Sequence, residues 1–473
     1  MNRNLQAIIL AAGKSTRFNT KQSKLTEKIC GQEMILYPTK LLASLGIATT
    51  VVVGYQREIV ESLIRKNHGE RVKFVHQKEQ IGTGHALLCT QELWDKKHIL
   101  ILNGDVPLIN SDLINSLYQK HIKENAQVTF VTAHNIDPSL SAYGRVVQEG
   151  NKIKIIEAKD DKEERKEHCC INAGIYLINK DFLQTAIHEL EKSKVTGELY
   201  ITDLIHNASD KGLKVETVST SFDIIRGINT LQELWAVEQI KRSELIKYWM
   251  DKGIRFYAAQ NNHIDLNVTI GAGTSIGASV QLYGSTKIGN NCVIEAFSIL
   301  ENAVIEDHAN IKSHSVVKDA IIKNKSIIGP FAHVHSDTIV STQANIGNFV
   351  EVKKSEVGAN TKIKHLSYIG DAQIGNDVNI GAGTITCNFN GLTKEKTKIE
   401  DNVCIGSNNS LIAPICIGKD ACTAAGSVIT RDVPADALAI ARAHQINKEE
   451  YSKKLKQPAF YGAKKVHNDT TTV

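Results

Sequence analysis

Large aromatic side chains are scarce in this chain of 473 residues: Phe, Trp and Tyr make up 5% of it, although 42% of its residues are hydrophobic. This composition argues against a sandwich with large aromatic anchors and favours a repetitive core of Val and Ile. The chain also has no large excess of charge of one sign, because 56 basic and 51 acidic residues leave a net charge of only +5. So small an excess does not predict nucleic-acid binding, and small anions are the favoured partners.

Paired cysteines and long apolar runs are missing as well. The nine cysteines form no CxxC pair, which excludes a zinc framework of that type and indicates free thiols in a reducing cytoplasm. The apolar stretch LQAIILAAG near the start is short and runs into Lys14 and Arg17, so we interpret it as a buried strand rather than a signal peptide. No run reaches the roughly 20 residues needed to span a membrane, and we expect no membrane span.

A six-residue period is the strongest pattern that is present. It differs from the period of about 3.6 of a helix and from the alternation of a strand, and it predicts a β-helix in which each unit is a short strand plus a turn. The apolar position recurs every sixth residue at Ile270, Ile276, Leu282, Ile288, Ile294 and Leu300. After brief shifts in phase it continues at Ile305, Ile311, Val317, Ile322, Ile328, Val334, Ile346, Ile363, Ile369, Ile374, Ile380, Ile399, Ile405, Leu411 and Ile417.

Before the repeats, apolar runs alternate with helical stretches. The runs are at 7–10, 50–54, 98–105, 128–133 and 174–179. They predict a mostly parallel sheet with helices on both faces, in which ligands bind beyond the carboxyl ends of the strands. The loops after the first and third runs are therefore the candidate site.

A single helix is predicted between the two halves, because the segment from Thr230 contains neither Pro nor internal Gly and stops at Lys252 and Gly253. One buried stripe is predicted on it, formed by Leu231, Leu234, Trp235, Leu245, Ile246 and Trp249. The predicted organisation is an α/β domain at 1–229, a helical linker at 230–252, a β-helix at 253–447 and a tail at 448–473.

The loop after the first run combines small residues with basic ones, which suits an anion. Alone, this loop is equally compatible with a surface turn. In the same order as in a known family, further motifs follow: SKLT with Lys24, HQKEQIGTGHA with Gln77, NGDVP with Asp105, YGR with Gly144, then Glu157, INAG with Asn172 and GIN with Asn229. The chain thus resembles the sugar-nucleotide pyrophosphorylases.

From about residue 5 to about residue 450, the chain resembles bifunctional members that combine N-acetylglucosamine-1-phosphate uridyltransferase and glucosamine-1-phosphate N-acetyltransferase activities. The resemblance implies a Rossmann-like nucleotidyltransferase domain, a left-handed parallel β-helix of hexapeptide repeats, a homotrimer, Mg2+, UTP and acetyl-CoA. It assigns the catalytic charges to Arg17 and Lys24 and the metal to Asp105 and Asn229. It assigns nucleotide and sugar binding to Leu10, Ala11, Ala12, Gly13, Lys24, Gln77, Gly82, Thr83, Asn103, Gly104, Asp105, Gly144, Glu157, Asn172 and Asn229.

The resemblance implies a second site on the repeats, carried by KHLSY and NIGAGT. By it His365 is the general base, an apt choice because an imidazole can take a proton from an amine near neutral pH. A lone histidine in a β-helix turn is also compatible with plain exposure to solvent. The sugar-phosphate and acetyl-CoA residues would be His335, Lys353, Tyr368, Asn379, Ala382, Asn388, Phe389, Ser407, Ala425 and Arg442, with Glu351 and Lys394 as weaker additions. The insertion CNFNGLTKEKT breaks the six-residue rhythm, as a functional loop would.

Several positions depart from the family pattern. Ser15 stands where Gly is usual, Asn103 where Tyr is common, and His333 and His335 where Arg is typical. Histidine cannot make the bidentate fork of Arg to phosphate, so we expect weaker sugar-phosphate binding in acetyl transfer, improving at lower pH. Phe389 and Asn390, where Tyr and Asp are common, are lesser departures.

Three functions are compatible with the sequence. The first is the bifunctional enzyme, which makes UDP-N-acetylglucosamine for cell-wall and surface-glycan precursors. The second is a uridylyltransferase whose β-helix is weakened or only oligomerises. The third, a non-catalytic scaffold, is disfavoured by Asp105, Asn229 and the glycine loop.

Overall fold

The computed structural model describes residues 4–14, 18, 22–134, 143–150, 152–158, 160 and 170–456. It divides the chain into two compact units, Met1–Lys318 and Asp319–Val473. The first unit contains the α/β region, the connecting helix and the first repeats, and the second contains the remaining repeats. The domain boundaries expected from the sequence stay predictions.

The α/β region is built on a twisted sheet. Its strands are β1 Leu5–Ala11, β4 Ala48–Val53, β5 Val72–His76, β6 His98–Asn103, β7 Val128–His134, β8 Arg145–Glu149, β9 Lys152–Ile156, β10 Cys170–Asn179 and β11 Val215–Thr220, and a separate hairpin is formed by β2 Lys28–Ile29 and β3 Gln32–Glu33. The order is β11-β7-β10-β6-β1-β4-β5, with β8 and β9 as a side hairpin on β10. Strand β10 runs antiparallel to β6 and β7, whereas β1 is parallel to both β4 and β6. All five predicted runs are strands of this mostly parallel sheet.

Helices cover both faces of the sheet, as predicted. They are α1 Leu36–Ser44, α2 Arg57–His68, α3 Thr83–Leu88, α4 Ser111–Lys123, α5 Lys180–Ala186, α6 Asp203–Asp210 and α7 Phe222–Ile225, with 3-10 turns at Lys24–Thr26, Gly69–Arg71, Gln91–Leu93, Ile187–Glu189 and Ala259–Asn261. Successive side chains of a strand point to opposite faces, so Ile9 joins one apolar cluster with α1, α2 and α4 while Ile8 joins another with α3, α5 and α6.

The connecting helix, α8, spans Leu231–Asp251 and begins with a capping box formed by Thr230 and Glu233. Its existence and bounds agree with the sequence, but the predicted buried stripe is partly wrong. Leu231 and Trp235 are 56% and 65% exposed. The buried residues are Val237 and Ile246. The helix packs on β2 and on the first repeat strands, and this contact surface, rather than the helix's own apolar content, decides which face is covered.

In the first unit the repeats form short parallel strands: β12 Arg255–Phe256, β13 His263–Ile264, β14 Thr269–Ile270, β15 Ser275–Ile276, β16 Gln281–Tyr283, β17 Lys287–Ile288, β18 Val293–Ile294, β19 Ile299–Glu301, β20 Val304–Ile305, β21 Asn310–Ile311 and β22 Val316–Lys318. Each strand pairs with the third strand after it, as Ile276 does with Ile294, so three six-residue units complete one coil of a left-handed β-helix.

The second unit continues this pattern with β23 Ala320–Ile322, β24 Ile327–Ile328, β25 His333–Val334, β26 Thr338–Val340, β27 Asn345–Lys353, β28 Glu356–Val357, β29 Lys362–Gly370, β30 Ala372–Ile374, β31 Asn379–Ile380, β32 Ile385–Cys387, β33 Thr397–Ile399, β34 Cys404–Ile405, β35 Ser410–Ile412, β36 Ile415–Ile417, β37 Cys422–Thr423, β38 Val428–Ile429, β39 Leu438–Ala439 and a last helix, α9 Tyr451–Leu455. Every apolar repeat position predicted in either unit is at most 6% exposed, which confirms the period. Within the described parts of the chain, no helix is long and apolar enough to cross a lipid bilayer.

Candidate active sites

A cavity of about 490 Å³ opens at the carboxyl ends of β1 and β6, which are neighbouring parallel strands. The Gly104 N–H donates to the Leu10 carbonyl oxygen at 2.9 Å and ties the loop after β6 to the end of β1. Residues from six separate segments of the chain line the cavity: Leu10, Ala11, Ala12, Gly13, Lys14, Lys24, Leu25, Gln77, Gln80, Gly82, Thr83, Ala86, Asn103, Asp105, Glu198 and Asn229. Most of the predicted nucleotide residues therefore share one cavity. Arg17 lies outside the described residues.

The Lys24 ammonium is held by three oxygen acceptors. Its Nζ donates to Asp105 Oδ2 at 2.5 Å, to the Ile228 carbonyl oxygen at 2.8 Å and to Asn229 Oδ1 at 3.1 Å. The side chain starts from the 3-10 turn after Ser23, whose hydroxyl accepts from the Leu25 N–H. Asp105 and Asn229, distant in sequence, are thus close enough to face the same cation.

Hard oxygen atoms of this kind suit Mg2+, which usually takes one or two ligands from the protein and completes its shell with phosphate and water. Within the described residues, no group of three or more His, Cys, Asp or Glu side chains could hold a metal ion. The carboxylate of Asp105 and the amide oxygen of Asn229 nevertheless fit an ion that is ligated mainly by a nucleotide.

The opposite wall of the cavity is shaped by the backbone around Gly82. This residue has φ +104°, and a Cβ atom there would collide with the Leu199 backbone, so only glycine fits. Buried Gln77 donates through Nε2 to the Gly82 carbonyl oxygen at 3.1 Å, and the Thr83 hydroxyl accepts from the Ile201 N–H at 3.1 Å. This wall offers fixed backbone and amide groups rather than charge.

The predicted sugar residues form a second group beside the cavity. The Asn172 N–H donates to the Gly144 carbonyl oxygen at 2.8 Å, and Glu157 Oε1 accepts from the Thr202 hydroxyl at 2.8 Å. Burial raises the pKa of the Glu157 carboxyl, although the Thr202 hydrogen bond opposes the shift. A Cβ atom on Gly144 would lie 3.0 Å from Ile155 Cγ2 and 3.5 Å from Glu157 Oε2, so the Gly144 backbone lies close to that carboxylate.

His365 lies on the outer face of β29, exposed to solvent. Its Nδ1 is 2.9 Å from Oδ1 of Asn348, the residue opposite it on β27. Because an amide oxygen can only accept, this contact assigns the ring proton to Nδ1 and leaves the lone pair on Nε2. The imidazole is therefore oriented and able to accept a proton.

Polar side chains continue along the same coils. Glu351 lies opposite Tyr368, and Lys353 opposite Gly370. The Asn388 Nδ2 donates to Asp371 Oδ2 at 2.6 Å and lies 3.5 Å from the Tyr368 hydroxyl. Asn379 is one strand further on, opposite Lys362.

The predicted acetyl-CoA residues form a row along one edge of the coils, starting next to His365. Successive backbone bonds run from Gly383 N–H to the Leu366 carbonyl oxygen, from Asn408 N–H to that of Ala382 and from Gly426 N–H to that of Ser407. Arg442 donates to the Ala425 carbonyl oxygen at 2.8 Å. Phe389, paired with Lys394, projects from the insertion and is 61% exposed.

Comparisons with known proteins agree over nearly the whole chain. Family models match for nucleotidyl transferase at residues 6–261, for the GMPPB C-terminal domain at 258–357 and for the hexapeptide repeat of succinyl-transferase at 396–431. The chain is 41% identical over 94% of its length to the Bifunctional protein GlmU of Thermosipho melanesiensis, covering 97% of that protein. It is 38% identical to those of Thermotoga maritima and Halalkalibacterium halodurans, over 94% of this chain and 98% of each relative. The chain belongs to the GlmU family. It is accordingly a transferase that joins a nucleotidyltransferase domain to a hexapeptide acyltransferase domain.

In this GlmU family member, the structure also brings to the nucleotide cavity residues that the sequence analysis did not predict. Leu25, Gln80, Ala86 and Glu198 line the nucleotide cavity, although they were not predicted as site residues. Glu198 has no signal in the sequence, because a contact between distant segments places it at the cavity. That contact is the hydrogen bond from the Leu199 N–H to the Ile81 carbonyl oxygen. Asn348 did carry a signal, since it lies one coil before His365.

The departure from the GlmU pattern at His333 and His335 has a structural counterpart. The two imidazoles stack with ring centroids 3.7 Å apart. His335 Nε2 lies 2.9 Å from Glu351 Oε1, so a carboxylate faces the position at which the family has Arg. The roles of the individual site residues remain predictions.

Proposed function

We propose that the chain acetylates glucosamine-1-phosphate with acetyl-CoA and then transfers a uridylyl group from UTP to the N-acetylglucosamine-1-phosphate formed, releasing pyrophosphate. The observation that carries the proposal is the arrangement of Asp105, Ile228 and Asn229 around the Lys24 ammonium group. Lys24, Asp105 and Asn229 line a cavity that is also lined by residues 10–13. The products would be precursors of cell wall and surface glycans. A cytoplasmic location fits the cysteines, because those in the described residues are free thiols.

Uridylyl transfer brings two anions together, and catalysis then depends on positioning and on neutralising charge. A sugar-phosphate oxygen attacks the α-phosphorus of UTP as the bond to pyrophosphate breaks. Asp105 and Asn229 would hold Mg2+, which neutralises phosphate charge when it is bound. Lys24 contributes a second positive charge from the same side. Arg17 would add another, by family resemblance alone.

The sugar side of this reaction is assigned to Gly144, Glu157 and Asn172. Glu157 Oε1 accepts from the Thr202 hydroxyl, and its second carboxyl oxygen can accept from a sugar hydroxyl. Sugar hydroxyls both donate and accept, so Glu157 suits them. The nucleotide base would meet Gln77 and the Gly82 backbone.

Acetyl transfer requires an unprotonated amine. His365 Nε2 takes a proton from the 2-amino group of glucosamine-1-phosphate, the nitrogen attacks the thioester carbonyl carbon, and the bond to the CoA sulfur breaks. Asn348 keeps the imidazole in the tautomer that accepts this proton. Lys353 and Tyr368 lie on the neighbouring positions of β27 and β29 and would hold the sugar phosphate. Ala382, Ser407, Ala425 and Arg442 mark the path of the CoA.

A homotrimer with acyl sites between subunits is the assembly we propose. It rests on family resemblance and on an apolar ridge beside His365. Phe331 and Phe349 stack at 5.5 Å on the surface, and Leu366 follows on the next coil. Exposed apolar side chains in one row indicate a surface that another chain covers.

A second candidate is a uridylyltransferase whose β-helix acetylates poorly or not at all. The contact between His335 and Glu351 favours it, because a carboxylate repels the phosphate that Arg would bind.

Two assays on purified protein test the proposal. The first measures Mg2+-dependent pyrophosphate release from UTP and N-acetylglucosamine-1-phosphate, and the second measures thiol release from acetyl-CoA and glucosamine-1-phosphate. His365→Ala should abolish only the second activity, and Asp105→Asn only the first, so each variant is the other's control. A wild-type protein that releases pyrophosphate but no thiol would support the second candidate, and one with neither activity would contradict both.

A further inference from the structure

The loop that carries Asn229 is held in place by contacts with residues outside it. It joins α7 to α8, and it supplies two of the three acceptors of the Lys24 ammonium, the Ile228 carbonyl oxygen and Asn229 Oδ1. At its start, the Gly227 N–H donates to the Tyr143 hydroxyl oxygen at 2.8 Å. Tyr143 belongs to none of the groups assigned above.

Tyr143 contacts both this loop and the helix before it. Its ring packs edge to face on Phe222 of α7, with ring centroids 5.5 Å apart. Its hydroxyl oxygen would be 3.5 Å from a Cβ atom on Gly227, a point that is itself 4.0 Å from Asp105 Oδ1. Together with the bond from the Ile228 N–H to the Asp105 carbonyl oxygen at 3.1 Å, these two contacts hold the start of the loop beside Asp105.

The same residue is covalently joined to the sugar group. Gly144 follows it in the chain, accepts from the Asn172 N–H at 2.8 Å and lies close to the Glu157 carboxylate. Any ligand that fixes Gly144 therefore also fixes the tyrosine that holds the Gly227 loop.

The chemistry of the phenol suits a fixed support. Burial raises the pKa of Tyr143 to about 12, so the group is neutral at working pH and its oxygen accepts from Gly227 while its own proton stays available. An anionic tyrosine beside Asp105 would instead repel the phosphates.

We propose that Tyr143 is a positioning residue of uridylyl transfer, which couples binding of the acceptor sugar phosphate at Gly144 to the alignment of Asp105, Lys24 and Asn229. This inference rests on the proposed uridylyltransferase function. It predicts that the hydroxyl matters for kcat and for the Mg2+ requirement, and little for binding of UTP.

Tyr143→Phe tests the idea, because it keeps the ring on Phe222 and removes only the acceptor of the Gly227 N–H. Leaving a buried donor unpaired should lower kcat for pyrophosphate release by about tenfold and raise the Mg2+ concentration for half-maximal rate severalfold. The KM for UTP should change less than about twofold, since Gln77 and Gly82 are untouched. Tyr283→Phe, which removes a hydroxyl that bonds Gln281 in the first repeats, is the matched control and should change none of these quantities.

A double-mutant cycle decides whether the effect passes through the loop. In an Asn229→Ala background, Tyr143→Phe should cost clearly less than about tenfold, because one of the groups it positions is gone. A full tenfold loss there, or no change in kcat and Mg2+ requirement in the single variant, overturns the inference. Thiol release should stay at the wild-type level in all variants, and a parallel loss there would show a general folding defect and equally overturn it. A wild-type protein without pyrophosphate release would instead refute the proposed function.

Discussion

At the residue scale, the hydrogen bond between Asn348 and His365 is what makes the imidazole a directed base. Asn348→Ala removes the acceptor that holds the proton on Nδ1, so a fraction of the rings adopts the wrong tautomer or rotates away. We expect kcat for thiol release to fall by about tenfold, less than for loss of the base itself. Asn348→Asp, which still offers an oxygen that accepts from His365 Nδ1, should keep most of the thiol-release activity that Asn348→Ala loses. Asn345→Ala, on the same strand but opposite Lys362, is the control. Wild-type thiol release by Asn348→Ala would refute the positioning role.

His335 is the residue whose replacement should improve the enzyme. Arg at this position offers a planar fork for phosphate and also satisfies Glu351, which now faces the His335 ring at 2.9 Å. His335→Arg should lower the KM for glucosamine-1-phosphate by about tenfold, the lower end of the range for one charge-assisted hydrogen bond. His335→Gln, which has similar length and no charge, should not lower it. A KM that His335→Arg leaves unchanged would show that the phosphate binds elsewhere.

At the element scale, the start of α8 connects the linker to the metal residues. Glu233 Oε2 accepts from the Asn229 N–H at 2.6 Å and from the Thr230 N–H at 2.9 Å, so the capping box also fixes the backbone of Asn229. Glu233→Ala should destabilise the fold by about 1 kcal/mol and reduce pyrophosphate release severalfold at limiting Mg2+. Glu244→Ala, which removes an ion pair with Lys241 on the same helix, should do neither. If both variants behave alike, the cap has no role in the site.

The secondary-structure elements could be predicted from the sequence, but the contacts between them could not. The periods located the sheet, the coils and α8, because burial imposes a repeat on the apolar residues. The same reasoning misassigned Leu231 and Trp235, since the exposed face of a helix depends on what it packs against. It placed Asp105 and Asn229 together only through family resemblance, as nothing local links a strand end to a loop so far along the chain. Glu198 was missed for the same reason.

At the scale of the whole molecule, each compact unit holds one of the two proposed chemistries, with Lys24 and Asp105 in the first and His365 in the second. The three tryptophans, Trp94, Trp235 and Trp249, all lie in the first unit. Their fluorescence therefore reports unfolding of the first unit alone, and the stability of the uridylyltransferase half can be measured within the intact chain.

A buried histidine pair makes that stability depend on pH. His121 Nε2 lies 3.2 Å from His98 Nδ1, and its own Nδ1 lies 2.8 Å from the Thr129 hydroxyl. Burial lowers the pKa of His121 to about 4, and burial also lowers that of His98. Below the unfolded value of about 6.5, the unfolded chain binds a proton that the folded protein does not accept until about pH 4. Stability should thus fall as the pH drops through that window, by about 3 kcal/mol from His121, and fall no further from this source below pH 4.

Urea unfolding followed by tryptophan fluorescence between pH 4 and pH 7 measures this dependence. His121→Gln keeps polar atoms at the site but does not titrate, so its unfolding free energy should change much less with pH than that of the wild type. His188→Gln, at an exposed position beside Gln91, should leave the wild-type slope intact. Parallel slopes for wild type and His121→Gln would mean that other groups in the first unit govern its acid sensitivity.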